Sequence, residues 1–232
     1  YTGATTAFQV EEGTLTVFGG TFTQAETIGS VAQNLAKYVI NCIDSNYKAG
    51  TAKIELKGGT YCYDFSNNPE GTGTSYVAEG YISLANDDGT YRVEELNASN
   101  ATAEVGGNYY ETLAEAISDA TDNQTVTLLK DCTVSSAITI DKDLTLDLNG
   151  YVISNGVTDS YLFHVSADFT VDSTESGSGM EIPEVNTEAR GFIQITETAT
   201  LNLVGGIYTG IPQSRDDPLF LLSADESLDY DS

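Results

Sequence analysis

The residues of this 232-residue chain that could do chemistry are few and scattered. Its one histidine, His164, stands between Phe163 and Val165. Alternation along a strand turns it away from both neighbours and toward solvent. Acid–base work needs a second titratable partner, and none stands beside it in the sequence. The arginines are Arg92, Arg190 and Arg215. Arg215 with Asp216-Asp217 is the one cluster of interest for lyase or hydrolase chemistry, and before Pro218 it reads more simply as a turn. There is no Gly-x-Ser-x-Gly elbow, phosphate loop or HExxH motif. Cys42, Cys62 and Cys132 are odd in number, widely spaced and free of any CxxC. They suit small buried hydrophobes better than a disulfide framework or a zinc site. Asp141, Asp143 and Asp147 raise the question of calcium. They alternate between strand and bend without EF-hand spacing, which favours solvated carboxylates. The expectation is no catalytic residue, no metal and no cofactor.

Charge narrows the partners. There are 35 acidic residues against 9 basic ones, a formal net charge of −26. Such a surface repels the phosphates of nucleic acids and anionic membranes, so neither is an expected partner. No run of 18 apolar residues is present, so no membrane-spanning helix is expected.

The elements that carry these residues follow from internal repeats. Alternating apolar residues, a Gly-Gly pair and an aromatic or apolar residue recur as Leu15-Thr16-Val17-Phe18-Gly19-Gly20-Thr21-Phe22 and Ile54-Glu55-Leu56-Lys57-Gly58-Gly59-Thr60-Tyr61. They recur again as Leu201-Asn202-Leu203-Val204-Gly205-Gly206-Ile207-Tyr208, with a weaker copy at Leu146-Asp147-Leu148-Asn149-Gly150. A second series begins Ile138-Thr139-Ile140, Phe163-His164-Val165, Ile193-Gln194-Ile195 and Phe220-Leu221-Leu222, each followed by a short polar bend. A strand of this length cannot bury its apolar face alone, whereas stacked coils of roughly 20–30 residues bury a continuous column. The pattern predicts an all-β, right-handed parallel β-helix with Leu15, Val17, Ile54, Leu56, Leu201 and Leu203 inside. A β-sandwich, the main competitor, does not account for near-equal steps with the same bend chemistry.

Between the repeats, residues 66–80 read as a polar loop, and Tyr81-Ile82-Ser83-Leu84 with Thr90-Tyr91-Arg92-Val93 as a hairpin about Asn86-Asp87-Asp88-Gly89. The hairpin is expected to cap the first stack. Residues 97–108 read as a polar linker. Thr112 with Glu115 then makes a capping box for a helix near 112–121, apolar at Leu113, Ala116, Ile117 and Ala120, that caps the second stack. The expected division is 1–96 and 97–232, two partial modules joined by cap, linker and helix. An insertion from Gln24 to Lys37 interrupts the first stack, with Ser30 and Gln33 predicting a short helix from Val31 to Lys37. Loops on a rigid scaffold are where binding concentrates, so Val31, Asn34, Leu35 and Lys37 are the candidate binding residues. The competing reading is that Val31 and Leu35 only pack on the stack.

The stretch Gly106-Gly107-Asn108-Tyr109-Tyr110-Glu111-Thr112-Leu113-Ala114-Glu115-Ala116-Ile117 resembles the start of β-helix modules in large surface proteins of gut Firmicutes. The runs that follow it there resemble Val126-Thr127-Leu128-Leu129-Lys130-Asp131 and Leu144-Thr145-Leu146-Asp147-Leu148-Asn149-Gly150, in this order. Gly58-Gly59-Thr60-Tyr61, then 76–81, then Asp88-Gly89-Thr90-Tyr91 resemble the closing part of the same module. The resemblance covers most of the chain. It implies tandem, adhesive or ligand-binding modules, secreted or held at the cell surface, whose partner is a host protein (an immunoglobulin or mucin glycoprotein) or a glycan. The closing part precedes the opening part, which implies a junction between two modules. Ala7-Phe8-Gln9-Val10 also mirrors Phe192-Ile193-Gln194-Ile195 mid-repeat, and no Gly-Gly corner follows Leu222. The chain therefore reads as a fragment whose β-helix continues at both ends, with end-to-end self-association through open coils as a further expectation. A carbohydrate-active β-helix enzyme, either a polysaccharide lyase or a glycoside hydrolase, is the alternative function.

Overall fold

The computed structural model describes residues 2–3, 6–24, 27–28, 31–32, 36–67, 69–196, 198–213 and 218–223. Strand dominates them, with two short α-helices and one 3-10 turn among the described residues. The chain divides into two compact units, Tyr1–Leu96 and Asn97–Ser232.

In the first unit the two Gly-Gly repeats lie on each other in parallel. Leu15 pairs with Ile54 and Val17 with Leu56, and beyond the corner Thr21 pairs with Thr60 and Phe22 with Tyr61. The corner demands glycine because the stacked backbones touch. A Cβ on Gly58 would stand 2.3 Å from the carbonyl oxygen of Phe18. Phe8–Val10 pairs in parallel with Ile40–Cys42. Helix α1 (Asp44–Lys48) then leads into Ala52–Leu56, whose Ala52, Ile54 and Leu56 are buried at alternate positions. Aromatic rings fill the core: Phe22 stacks on Tyr61 at 5.4 Å, Tyr61 meets Phe65 edge-on at 5.6 Å, and Phe65 stacks on Tyr76 at 5.6 Å. The polar loop thus returns an anchor to the core, since Tyr76 is buried within it. The hairpin Tyr81–Ala85/Tyr91–Glu95 adds antiparallel to Gly59–Tyr61. The expected helix from Val31 to Lys37 does not form over the described part. Val31–Ala32 is extended and pairs antiparallel with Thr27–Ile28, and only Ala36–Tyr38 turns, as a single 3-10 turn.

In the second unit the chain visits three parallel sheets in rotation. The first holds Gln124–Leu128, Leu144–Asp147, Phe169–Ser173 and Leu201–Gly205. The second holds Cys132–Val134, Val152–Asn155, Gly179–Glu181 and Ile207–Thr209. The third holds Ile138–Ile140, Tyr161–Val165, Gly191–Thr196 and Phe220–Ser223. Ile140, Val165, Ile195 and Leu222, the positions picked out by the second repeat series, pair in register. Inward residues alternate as a strand requires, so Val126, Leu146 and Val171 form one buried column. Close approach again selects glycine, for a Cβ on Gly179 would stand 2.1 Å from the carbonyl oxygen of Ile207.

Three expectations need correction here. Residues 103–108, expected within a linker, form with Tyr109 and Tyr110 a hairpin, Ala103–Val105 with Asn108–Tyr110, whose first strand pairs antiparallel with Gln124–Leu128. Ala103 and Val105 alternate inward and are buried, which is what pulls this short polar stretch onto the sheet. Leu203, expected inside, is 39% exposed on the outermost strand of its sheet among the described residues, and Leu15 and Leu201 are half-buried. The bend aspartates are not merely solvated. Asp143 accepts the N–H of Asp168 at 3.0 Å and Asp168 accepts that of Thr200 at 2.8 Å, a ladder that ties one turn to the next.

Helix α2 (Leu113–Asp119) begins with both hydrogen bonds of the Thr112/Glu115 capping box and buries Leu113, Ala116 and Ile117. Its far end is closed from outside. The Lys142 ammonium donates to the carbonyls of Ser118 and Ala120 at 2.7 Å each and of Ile117 at 3.4 Å. These are helix-end carbonyls that lack partners within the helix. Lys142→Met keeps the aliphatic stem and removes the donors. The expected loss in urea denaturation is about 1–2 kcal/mol. An unchanged midpoint would mean that water serves the carbonyls equally well.

Candidate functional site

The candidate binding residues meet the structure unevenly. Asn34 and Leu35 lie outside the described residues, as do Arg215, Asp216 and Asp217. Val31 stands in a two-residue strand. Lys37 is fully described and exposed, in the turn Ala36–Tyr38. That turn is held from both sides. Val39 donates its N–H back to Ala36 at 3.1 Å, and buried Val39 and Ile40 root the following strand. The Cys62 thiol contacts the Ala36 carbonyl at 3.8 Å.

One aromatic residue stands directly against Lys37. Its ammonium lies 4.7 Å from the centroid of the Tyr38 ring, within cation–π range. The Tyr38 hydroxyl beside it, with lesser help from Tyr63 and Asp44, holds the amine above the ordinary lysine range. Tyr38 is 38% exposed and Tyr63 half-buried, its hydroxyl donating to the carbonyl of Asn67 at 2.9 Å. The one signal in the sequence is adjacency, Tyr38 following Lys37. Such a group can stack a sugar ring or an apolar side chain while the cation and hydroxyls supply polar contacts.

Other groups have more limited chemistry. His164 is half-buried rather than solvent-facing, and its Nε2 lies 2.8 Å from the Ser160 hydroxyl. This is nucleophile–base spacing, yet a triad also orients the base through its second nitrogen. The hydrogen bond serves here to pin the loop before Tyr161–Val165. In the first unit, Tyr76 donates to Glu70 and receives the N–H of Cys42 at 3.1 Å, tying the loop to the core. In the second unit a cavity of about 320 Å³ is lined by Thr102, Leu113, Cys132, Val134 and Ser135, among others. Burial pushes the Cys132 thiol up to about 11, so it is a poor nucleophile at neutral pH. Among the described residues no group of three or more His, Cys, Asp or Glu is placed to hold a metal ion. Among them, too, no helix is long and apolar enough to cross a membrane. Compared with protein-family models, curated proteins and solved structures, the chain finds no match.

Proposed function

We propose that this chain is a non-catalytic binding module of a secreted or cell-surface bacterial protein, built as two partial modules of right-handed parallel β-helix. Its role in this reading is adhesion to a host glycoprotein, an immunoglobulin or a glycan. The solenoid reading is supported by the rotation through three parallel sheets and by the in-register stacking of the sequence repeats. The binding reading rests on one observation above others: an exposed tyrosine and lysine, in cation–π contact, are displayed on a turn anchored to a strand core.

The test uses immobilised mucin glycoprotein, immunoglobulin and a glycan array as probes. Where one of them binds, Tyr38→Ala is expected to weaken affinity about tenfold, the effect of losing one aromatic contact of 1–2 kcal/mol. Lys37→Ala is expected to weaken it less, in a salt-dependent way. Undiminished affinity in the Tyr38→Ala protein would move the site elsewhere. Release of reducing sugar or unsaturated product from pectin or mucin glycans would overturn the non-catalytic reading altogether.

A further inference from the structure

We infer that the cavity between α2 and the strand Cys132–Val134 is a site for an N-acetylated hexosamine, whose acetamide group enters first. The inference rests on the binding reading above and narrows its glycan branch, at a place apart from the turn of Lys37. The cavity follows from how the second unit is built. Past Gln124–Leu128 the first sheet continues through Ala103–Val105 and Asn108–Tyr110. The second sheet has Cys132–Val134 as its outermost strand on that side among the described residues. Where no strand continues the second sheet, α2 lies over the gap and a hollow of about 320 Å³ remains. That is near the lower end of the range for small-molecule sites, room for one sugar ring rather than a long chain.

The lining is divided. Leu113, Cys132 and Val134 supply apolar surface, and exposed Ser135 and Ser136 form a rim of hydroxyls. Thr102 is the one buried polar side chain of the lining, 6% exposed. Its backbone is fixed on both sides. The N–H donates to the carbonyl of Tyr110 at 2.8 Å, and the carbonyl accepts the N–H of Leu129 at 2.9 Å. The Thr102 hydroxyl makes no hydrogen bond to any described residue. Buried hydroxyls normally find partners, and this one lines a cavity that a ligand can enter. An acetamide serves both surfaces: its methyl packs on the apolar floor and its carbonyl oxygen accepts the Thr102 proton. The ring hydroxyls then meet Ser135, Ser136 and the Glu111 carboxylate. A plain hexose would set hydroxyls against the apolar floor, and an alkyl chain would leave Thr102 unpaired. Glu111 and a net charge of −26 disfavour sugars that carry a carboxylate.

An NMR titration of the full chain tests this. The probes are the methyl glycosides of N-acetylglucosamine and N-acetylgalactosamine, with methyl glucoside as the control that lacks the acetamide. At least one acetamido sugar is expected to bind with a dissociation constant on the order of 1 mM. Its amide shifts are expected at Thr102, Leu113 and Cys132–Val134, and methyl glucoside is expected to bind at least about tenfold more weakly. Thr102→Val keeps the branched shape, removes the hydroxyl and is expected to weaken binding about tenfold with an unchanged circular dichroism spectrum. Thr102→Ser keeps the hydroxyl and is expected to retain most of the affinity. The inference is overturned by silence at these amides, by methyl glucoside binding equally well, or by undiminished affinity in the Thr102→Val protein. Equal binding of N-acetyl-lysine would assign the cavity to acetylated protein instead of sugar. Shifts at Lys37 and Tyr38 alone would overturn this site while leaving the binding reading standing.

Discussion

Phe169→Ala is expected to remove about 3–5 kcal/mol of stability, the cost of deleting a large side chain from a core that cannot collapse around the gap. Phe169 is fully buried, stands between Leu144 and Leu201 in the first sheet of the second unit, and meets the Phe163 ring at 5.6 Å. Stacked turns share their neighbours, so a hole in one turn loosens the turns on either side. The neighbouring Thr170 faces outward and is half-exposed. Thr170→Ala is expected to stay within about 0.5 kcal/mol of the parent protein. Urea unfolding of the two variants decides the matter. Equal losses would mean that the inward–outward alternation assigned to this strand is wrong.

Alkali is expected to unfold the first unit steeply. Burial pushes Tyr61 and Tyr76 well above the ordinary tyrosine range, and for Tyr76 the hydrogen bond to Glu70 adds to it. Burial also raises the thiols of Cys42 and Cys62. In the unfolded chain a thiol gives up its proton near pH 8.5 and a tyrosine near about 10. The native protein holds these protons longer. Above those values the native state therefore binds more protons than the unfolded one, and stability falls as pH rises. The contribution is whole below about pH 8.5, begins to decline there with the thiols, and declines faster above about pH 10 with the tyrosines. The Tyr61 hydroxyl donates to the carbonyl of Gly58 at 2.6 Å, so Tyr61→Phe gives up that bond but removes an ionisable group. Its base-induced transition is expected at higher pH than that of the parent protein. A urea midpoint that stays level from pH 8.5 to 11 would refute the account.

Much of this architecture was legible because strand alternation and glycine corners leave marks in sequence. The rank Ile140, Val165, Ile195, Leu222 and the pairing of Leu15 with Ile54 were readable as repeats. So were the Thr112/Glu115 box and the hairpin about Asp88-Gly89. What escaped depends on long-range partners. Lys142 lies in a polar bend after Ile138-Thr139-Ile140, and only the fold brings α2 onto it. Asp143 looked solvated because its acceptor role needs the next turn's N–H in place. Residues 103–110 were too short and polar to announce a hairpin without the sheet that receives it. Of the candidate site Lys37 was legible, and Tyr38 only as its neighbour, since nothing in the sequence separates a displayed ring from a packed one.

The corners of the second unit differ in how freely their length varies. Those from the third sheet back to the first stay short, at 141–143, 166–168 and 197–200, and carry the aspartate ladder. Those from the second sheet to the third lengthen turn by turn, at 135–137, 156–160, 182–190 and 210–219. The longer ones rest on one another, with the Asp159 N–H donated to Glu188 and that of Gln213 to Ala189. Residues added there extend a ledge and leave the strand register untouched. Residues added at the aspartate corners would break the hydrogen bonds that set the spacing between turns. One edge of the unit is thus open to diversification, an insertion point for new surface on a frame that does not have to be rebuilt.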